Sequence, residues 1–232
     1  MTTSARIHSH TEIVEALAEG LQELEDTLSG LSHDDWDRPT LLRPATSDTP
    51  PWDVLTLAAH FDVFMGLTLM LVGEPQEGPP GRDRASFCIS VSDRSQVAPA
   101  IYDYVVDHAA GHTPATMLDT VRQTFKNSMD AIRTNPPDTI GPGFFAPMRL
   151  DEFVATRVVE TVVHGLDLTD ALGRPPLPMP KAVPIAAEIL DEVFARVRVP
   201  GRPADLVDDD AAFIRAAAGR GDHPDPRLPI VG

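Results

Sequence analysis

Apolar residues recur every three to four positions along four long stretches of this 232-residue chain, and nowhere do they alternate in the two-residue period of a strand. In the first stretch, about Thr11 to Leu31, a stripe of Ile13, Val14, Leu17, Leu21, Leu24 and Leu28 predicts a helix, with Thr11 as N-cap and Gly30 at its end. The second runs from Trp52 to about Val72, behind Pro50 and Pro51, which suit a first helical turn, and stops at Gly73. Thr113-Pro114 opens the third, which carries Met117, Leu118, Val121, Phe125, Met129 and Ile132 as far as Asn135-Pro136-Pro137. The fourth spans about Arg149 to Leu172 and ends on Gly173. Four long amphipathic helices joined by one or two long connections predict an all-α four-helix bundle.

The connections carry turn chemistry. Ser32 to Pro39 reads as a short capped turn with Trp36 plugging the core, and Arg43 to Pro51 as a Pro/Ser/Asp loop. Gly73 to Arg84 is rich in Gly and Pro and reads as a loop, while a shorter helix around Asp93 to Ala110 carries Ile101, Tyr102 and Val105. Gly141-Pro142-Gly143-Phe144-Phe145 predicts a loop able to line a pocket. Beyond Arg174-Pro175-Pro176 two further helices are expected, Pro180 to Val197 and Asp208 to Ala218, before an extended end at Asp225 to Gly232. Residues 1–174 are therefore read as the bundle and 175–232 as a helical extension packed on it through Ile185, Ile189 and Phe194.

With 35 acidic against 19 basic residues the net charge is -16, which argues against nucleic acid and anionic membrane surfaces as partners. The N-terminus lacks the apolar segment of a secretory signal, and the longest uncharged apolar stretch, Val63 to Gly73, is about half the ~20 residues that cross a bilayer. The single cysteine, Cys88, cannot form an intramolecular disulfide and fits a reducing cytoplasm; with no base nearby it reads as a half-buried structural thiol. Arg far outnumbers Lys, since only Lys126 and Lys181 are lysines, and heavy Arg, Ala and Pro usage hints at a high-GC, actinobacterial genome.

Against this apolar background three ionisable residues stand out. His60 lies in Leu57-Ala58-Ala59-His60-Phe61 and shares its helix face with Leu57, Val63 and Phe64. Glu160 and His164, four apart among Val158, Val159, Val162 and Val163, stack on one face of the fourth helix. A buried charge needs a partner or a metal. One imidazole from one helix and a Glu/His pair from another make a three-ligand divalent-metal site with an open position, as in catalytic zinc. Taken singly, the inward His60 reads rather as a hydrogen-bonded core histidine, and the Glu160/His164 spacing is common in helices. Asp167 is placed to orient the His164 imidazole, and Arg157 to pair with Glu160 or an anionic substrate. The competing reading makes Arg157–Glu160 a structural ion pair and Asp167 a solvated acid. His108 and His112 are also four apart, but Gly111 breaks the helix between them and the segment reads as a solvated turn; His8, His10, His33 and His223 lie in polar termini or turns. No nucleophile-elbow, P-loop or dinucleotide-binding glycine pattern occurs.

The strings Trp52 to His60 and Arg157-Val158-Val159-Glu160-Thr161-Val162-Val163-His164-Gly165-Leu166-Asp167 resemble the mycothiol-dependent maleylpyruvate isomerase family, within the DinB-like superfamily of metal-binding four-helix bundles. The resemblance covers roughly Ile13 to Arg174. It implies zinc on His60, Glu160 and His164, and mycothiol, an uncharged sugar-linked cysteine thiol, as thiol cosubstrate activated for attack on an electrophilic small molecule. The activity expected is that of an isomerase or S-transferase, in a cytoplasmic chain that is monomeric or homodimeric. The founding isomerase carries a separate α/β C-terminal domain, from which the short helical tail here is expected to depart. A thiol-independent metal hydrolase and a non-catalytic metal-binding stress-response bundle remain as alternatives. Neutral imidazoles as ligands would make metal affinity fall below about pH 6.

Overall fold

Ser9 and Glu12 start the first helix by capping each other: the Glu12 amide donates to Ser9 Oγ at 3.3 Å and the Ser9 amide to Glu12 Oε2 at 2.7 Å. This reciprocal box moves the cap from Thr11 to Ser9, and α1 runs His10–Ser29. The computed structural model describes residues 8–42, 50–91, 98–144, 146–198 and 201–231. Most of the expected Arg43 to Pro51 loop, the expected helix start at Asp93 and the second phenylalanine of the Gly141 to Phe145 loop lie outside these residues.

Among the described residues the elements are α1, α2 (Val54–Gly73), α3 (Arg84–Val91), α4 (Ala98–Ala110), α5 (Pro114–Thr134), β1 (Ile140–Gly141), β2 (Met148–Arg149), α6 (Leu150–Leu172), α7 (Ala182–Val197) and α8 (Asp210–Ala217). α2 begins two residues later than its prolines indicate, because Asp53 accepts the Thr56 amide at 2.8 Å and takes the cap, while Trp52 is extended and pairs with Thr40 and Leu42. Thr113 caps α5 with Pro114 in its first turn. Gly173, at φ +64°, closes α6. β1 and β2 pair antiparallel as a two-residue ladder across the expected loop, too short for an alternating pattern to show in the sequence.

α1, α2, α5 and α6 form the bundle, each packing on two of the others. Gly20 marks the tight crossing of α1 and α6: a Cβ there would sit 2.6 Å from Thr161 Cγ2. α6 is the central helix. Only Glu152, Glu160, Asp170 and Ala171 of its residues are not buried. α2 meets the length and apolarity of a membrane span, longer than the uncharged stretch read from sequence, but its Leu57, Phe61, Phe64, Met65 and Leu71 fill the bundle core.

α7 packs on α6, α1 and α3, and α8 on α7 and α6, with Ile185, Ile189, Phe194 and Phe213 buried between them. The short α3 is the helix the sequence reading missed. It is held by Arg84, which donates to Glu192 of α7 at 3.0 Å and is 8% exposed. Cys88 lies on it, fully rather than half buried, and burial pushes its thiol up to about 12.

Candidate metal centre

α2 and α6 cross where the bundle interior meets an open cavity. His60 on α2 faces Glu160 and His164, one turn apart on α6. The Nε2 atoms of the two histidines are 3.1 Å apart, Glu160 Oε2 is 3.1 Å from His164 Nε2, and 3.9 Å from His60 Nε2. All three potential ligand atoms lie within 4.8 Å of one another, the only such group among the described residues. Two imidazole lone pairs and a carboxylate oxygen cannot satisfy one another without a proton or cation between them. Nitrogen ligands at 2.0–2.1 Å from a tetrahedral ion stand roughly 3.3 Å apart, so the observed spacing suits a small divalent cation.

The electrostatics divide the cluster. Burial lowers His60, although Glu160 pulls the other way, so this imidazole is neutral. Glu160 is held well below the usual carboxylate range: burial would raise it, but the bond from His164 and the nearby His60 imidazole prevail. His164 moves in the opposite direction. Burial works to lower it, yet bonds to Asp167 and Glu160 raise it to about 9. Asp167 is drawn to about 2, burial being outweighed by His164 and Arg220. These opposite shifts favour an ionised Glu160 beside a protonated His164.

Asp167 lies where the sequence spacing puts it, its Oδ2 accepting from His164 Nδ1 at 2.8 Å, but its side chain is fully buried rather than solvated. Arg157 does not pair with Glu160: among the described residues it forms no salt bridge within 4 Å. Its guanidinium instead lies 4.4 Å from the Phe153 ring centroid, 5.2 Å from Phe87 and 5.6 Å from Phe64, and donates to Thr156 Oγ1 and the Phe64 carbonyl. Three aromatic faces compensate a buried cation, and this packing overrides the helical spacing. His108, read as part of a solvated turn, is bonded to Asp62 at 2.8 Å beside the cavity. The residue that sequence reasoning missed is Arg220, which grips Asp167 from 53 positions downstream.

Beside the cluster lies a cavity of about 620 Å³. His60, Glu160 and Arg157 border it, with Phe64, Leu67, Met70, Phe87, Ile101 and Phe144 supplying apolar walls. Phe144 thereby bears out the pocket-lining role expected of its loop. The Trp52 and Phe64 rings flank His60 at 5.3 and 5.7 Å.

Fold and cluster together define a class: helical bundles whose central helices converge two histidines and a carboxylate beside an open cavity. The profile of the family described as mycothiol maleylpyruvate isomerase N-terminal domain matches residues 17–169, and the chain belongs to that family of enzymes. The structure is similar to the crystal structure of the mycothiol-dependent maleylpyruvate isomerase, with TM-score 0.61, 14% identity, and coverage of 95% of this chain and 93% of that one. A histidine-to-alanine mutant of that isomerase matches with the same TM-score and coverage at 15% identity. The superposition takes in most of the tail after Arg174, the part expected from sequence to depart. No curated protein sequence is significantly similar to this chain.

Proposed function

We propose that the chain is a metal- and mycothiol-dependent enzyme, with His60, Glu160 and His164 holding a divalent ion, zinc being the one that two imidazoles and a carboxylate suit best. The observation that carries this reading is the convergence of three acceptor atoms beside a large cavity, with no fourth protein ligand among the described residues. Structural zinc sites are closed by four protein ligands, whereas catalytic ones keep a position open. Zinc bound there would supply the charge that keeps a coordinated thiol deprotonated at neutral pH.

The chain's own residues provide the rest. Asp167 accepts a hydrogen bond from His164 Nδ1–H and leaves Nε2 facing Glu160 and His60. Phe64, Leu67, Phe87 and Ile101 exclude water from the cavity, and Arg157 gives its floor a fixed positive charge towards which an anionic group of the substrate is drawn. The substrate class is an electrophilic small molecule. Isomerisation, with the thiol regenerated, is the outcome the relatives' names favour; S-transfer, with the thiol kept in the product, uses the same residues. In this reading residues 1–174 form the metal-binding bundle and 175–232 its packed extension. The lone, buried Cys88 fits a cytoplasmic enzyme.

Cobalt substitution tests the proposal. Added mycothiol should produce a sulfur-to-cobalt charge-transfer band and a thiol-dependent reaction with an electrophile. An unchanged spectrum alongside water-dependent hydrolysis would replace the thiol reading with a hydrolytic one.

A further inference from the structure

We propose that Arg220, supplied by the C-terminal tail, is a positioning residue that fixes the ligand face of His164 through Asp167. The inference rests on reading His60, Glu160 and His164 as a metal centre, and Arg220 lies outside the family-matched residues 17–169.

The tail is built to deliver this side chain. α8 ends in a Schellman motif: Gly219 adopts φ +68°, its amide bonds the Ala216 carbonyl at 3.2 Å, and the Arg220 amide bonds the Arg215 carbonyl at 2.8 Å. A side chain at Gly219 would strain that left-handed turn, which folds Arg220 back onto α6. There its Nε and Nη2 meet Asp167 Oδ1 and Oδ2 at 2.8 and 2.9 Å. The pair is sealed, with the Arg220 side chain 7% and that of Asp167 0% exposed. Asp167 Oδ2 also holds His164 Nδ1 at 2.8 Å.

A carboxylate bonded only to an imidazole is free to rotate about its own axis. A two-pronged guanidinium fixes the carboxylate plane as well as its position. With both oxygens engaged, Asp167 accepts the Nδ1 proton from one direction only, which sets the His164 tautomer and aims Nε2 at Glu160 and His60. Groups that orient a ligand histidine in this way matter to metal affinity nearly as much as the ligand.

The same turn contains its own control. Arg215 makes a second fork, to Asp170, at 2.6 and 3.0 Å, and touches Arg220 only at its main-chain carbonyl, to which it donates at 3.2 Å. It anchors the tail to α6 three residues beyond Asp167, where no candidate ligand is touched. Loss of Arg215 loosens the tail; loss of Arg220 loosens the tail and releases Asp167.

The experiment compares Arg220→Ala, Arg220→Lys and Arg215→Ala with the wild-type chain, using two readouts. In metal-free protein, proton–nitrogen NMR should show a slowly exchanging Nδ1–H on His164 in the wild type and in Arg215→Ala, but not in Arg220→Ala. By chelator competition, Arg220→Ala should lose roughly 10- to 100-fold in zinc affinity, and Arg215→Ala should keep wild-type affinity despite a lower Tm. Lysine restores the charge without the fork, so Arg220→Lys should fall between the two; it also serves if the alanine variant does not fold. Wild-type affinity with an intact Nδ1–H signal in both Arg220 variants overturns the proposal, as does an equal loss of affinity in Arg215→Ala. If the wild type binds no divalent ion, the metal reading fails, and the NMR signal alone still decides whether Arg220 positions His164.

Discussion

Asp167 and Glu160 favour the protonated form of His164, so a divalent ion entering the candidate centre competes with a proton. His164 is raised to about 9 by Asp167 and Glu160 in spite of its burial, whereas His60 is lowered and Glu160 is already ionised. At neutral pH, binding must therefore release one proton from His164, and below about pH 9 apparent affinity should fall roughly tenfold per pH unit. From pH 9 to pH 7 the loss is about 100-fold. An unperturbed imidazole would have placed the onset near 6. The sign for folding is the reverse. A folded-state value above the ordinary imidazole 6.5 stabilises the metal-free protein fully below pH 6.5, and that stabilisation, on the order of 3 kcal/mol, is lost as pH rises through about 9. Metal-free protein should thus weaken over this window while the metal-bound form gains on it. Calorimetric zinc titrations in buffers of differing ionisation enthalpy count the released protons, and chelator competition from pH 6 to 9.5 gives the slope. Zero protons released at pH 7, or a flat affinity between pH 7 and 9, would refute the reasoning.

Arg157→Met keeps much of the side-chain volume among Phe64, Phe87 and Phe153, so chemical denaturation should show a loss of about 1–3 kcal/mol. Zinc affinity should not fall, since no bond runs from Arg157 to a ligand residue; a tenfold drop would restore it as a ligand-orienting group. Gly20→Ala should lower stability by about 1–3 kcal/mol in the same assay, because its Cβ meets Thr161 Cγ2 at 2.6 Å. Ending the chain near Arg174 should uncover the α6 and α1 surfaces under Ile185 and Ile189 and remove Arg220, giving a poorly soluble protein that binds the dye ANS. A soluble truncation with wild-type zinc affinity would contradict both the packing and the role given to Arg220.

Helices of twenty or more residues, such as α1, α2, α5 and α6, were legible because their apolar stripes span several turns; their caps shifted by a residue or two where a capping box or Asp53 competed. α3 was not, since eight residues cover barely two turns and its anchor, the Arg84–Glu192 pair, joins positions 108 apart. His60, Glu160 and His164 showed themselves because ionisable groups in apolar helices demand compensation. Local spacing put Asp167 beside His164 but did not yield the Arg157 setting, because two of its three aromatic partners, Phe64 and Phe87, lie on α2 and α3. Arg220 carried no signal, as an arginine in the polar turn Gly219-Arg220-Gly221-Asp222 looks like any surface residue.

The burial of α6 has a consequence for how such an enzyme can diversify. Arg157, Glu160, His164 and Asp167 all sit on the helix that contributes most to the core, so a change there disturbs folding and chemistry together. The opposite cavity wall is under no such double constraint. Val63, Leu67, Met70, Ile101 and Tyr104 line it from α2 and α4 and are at least partly exposed. Random libraries confined to those five positions should yield altered substrate range at a far higher frequency of folded variants than libraries directed at α6.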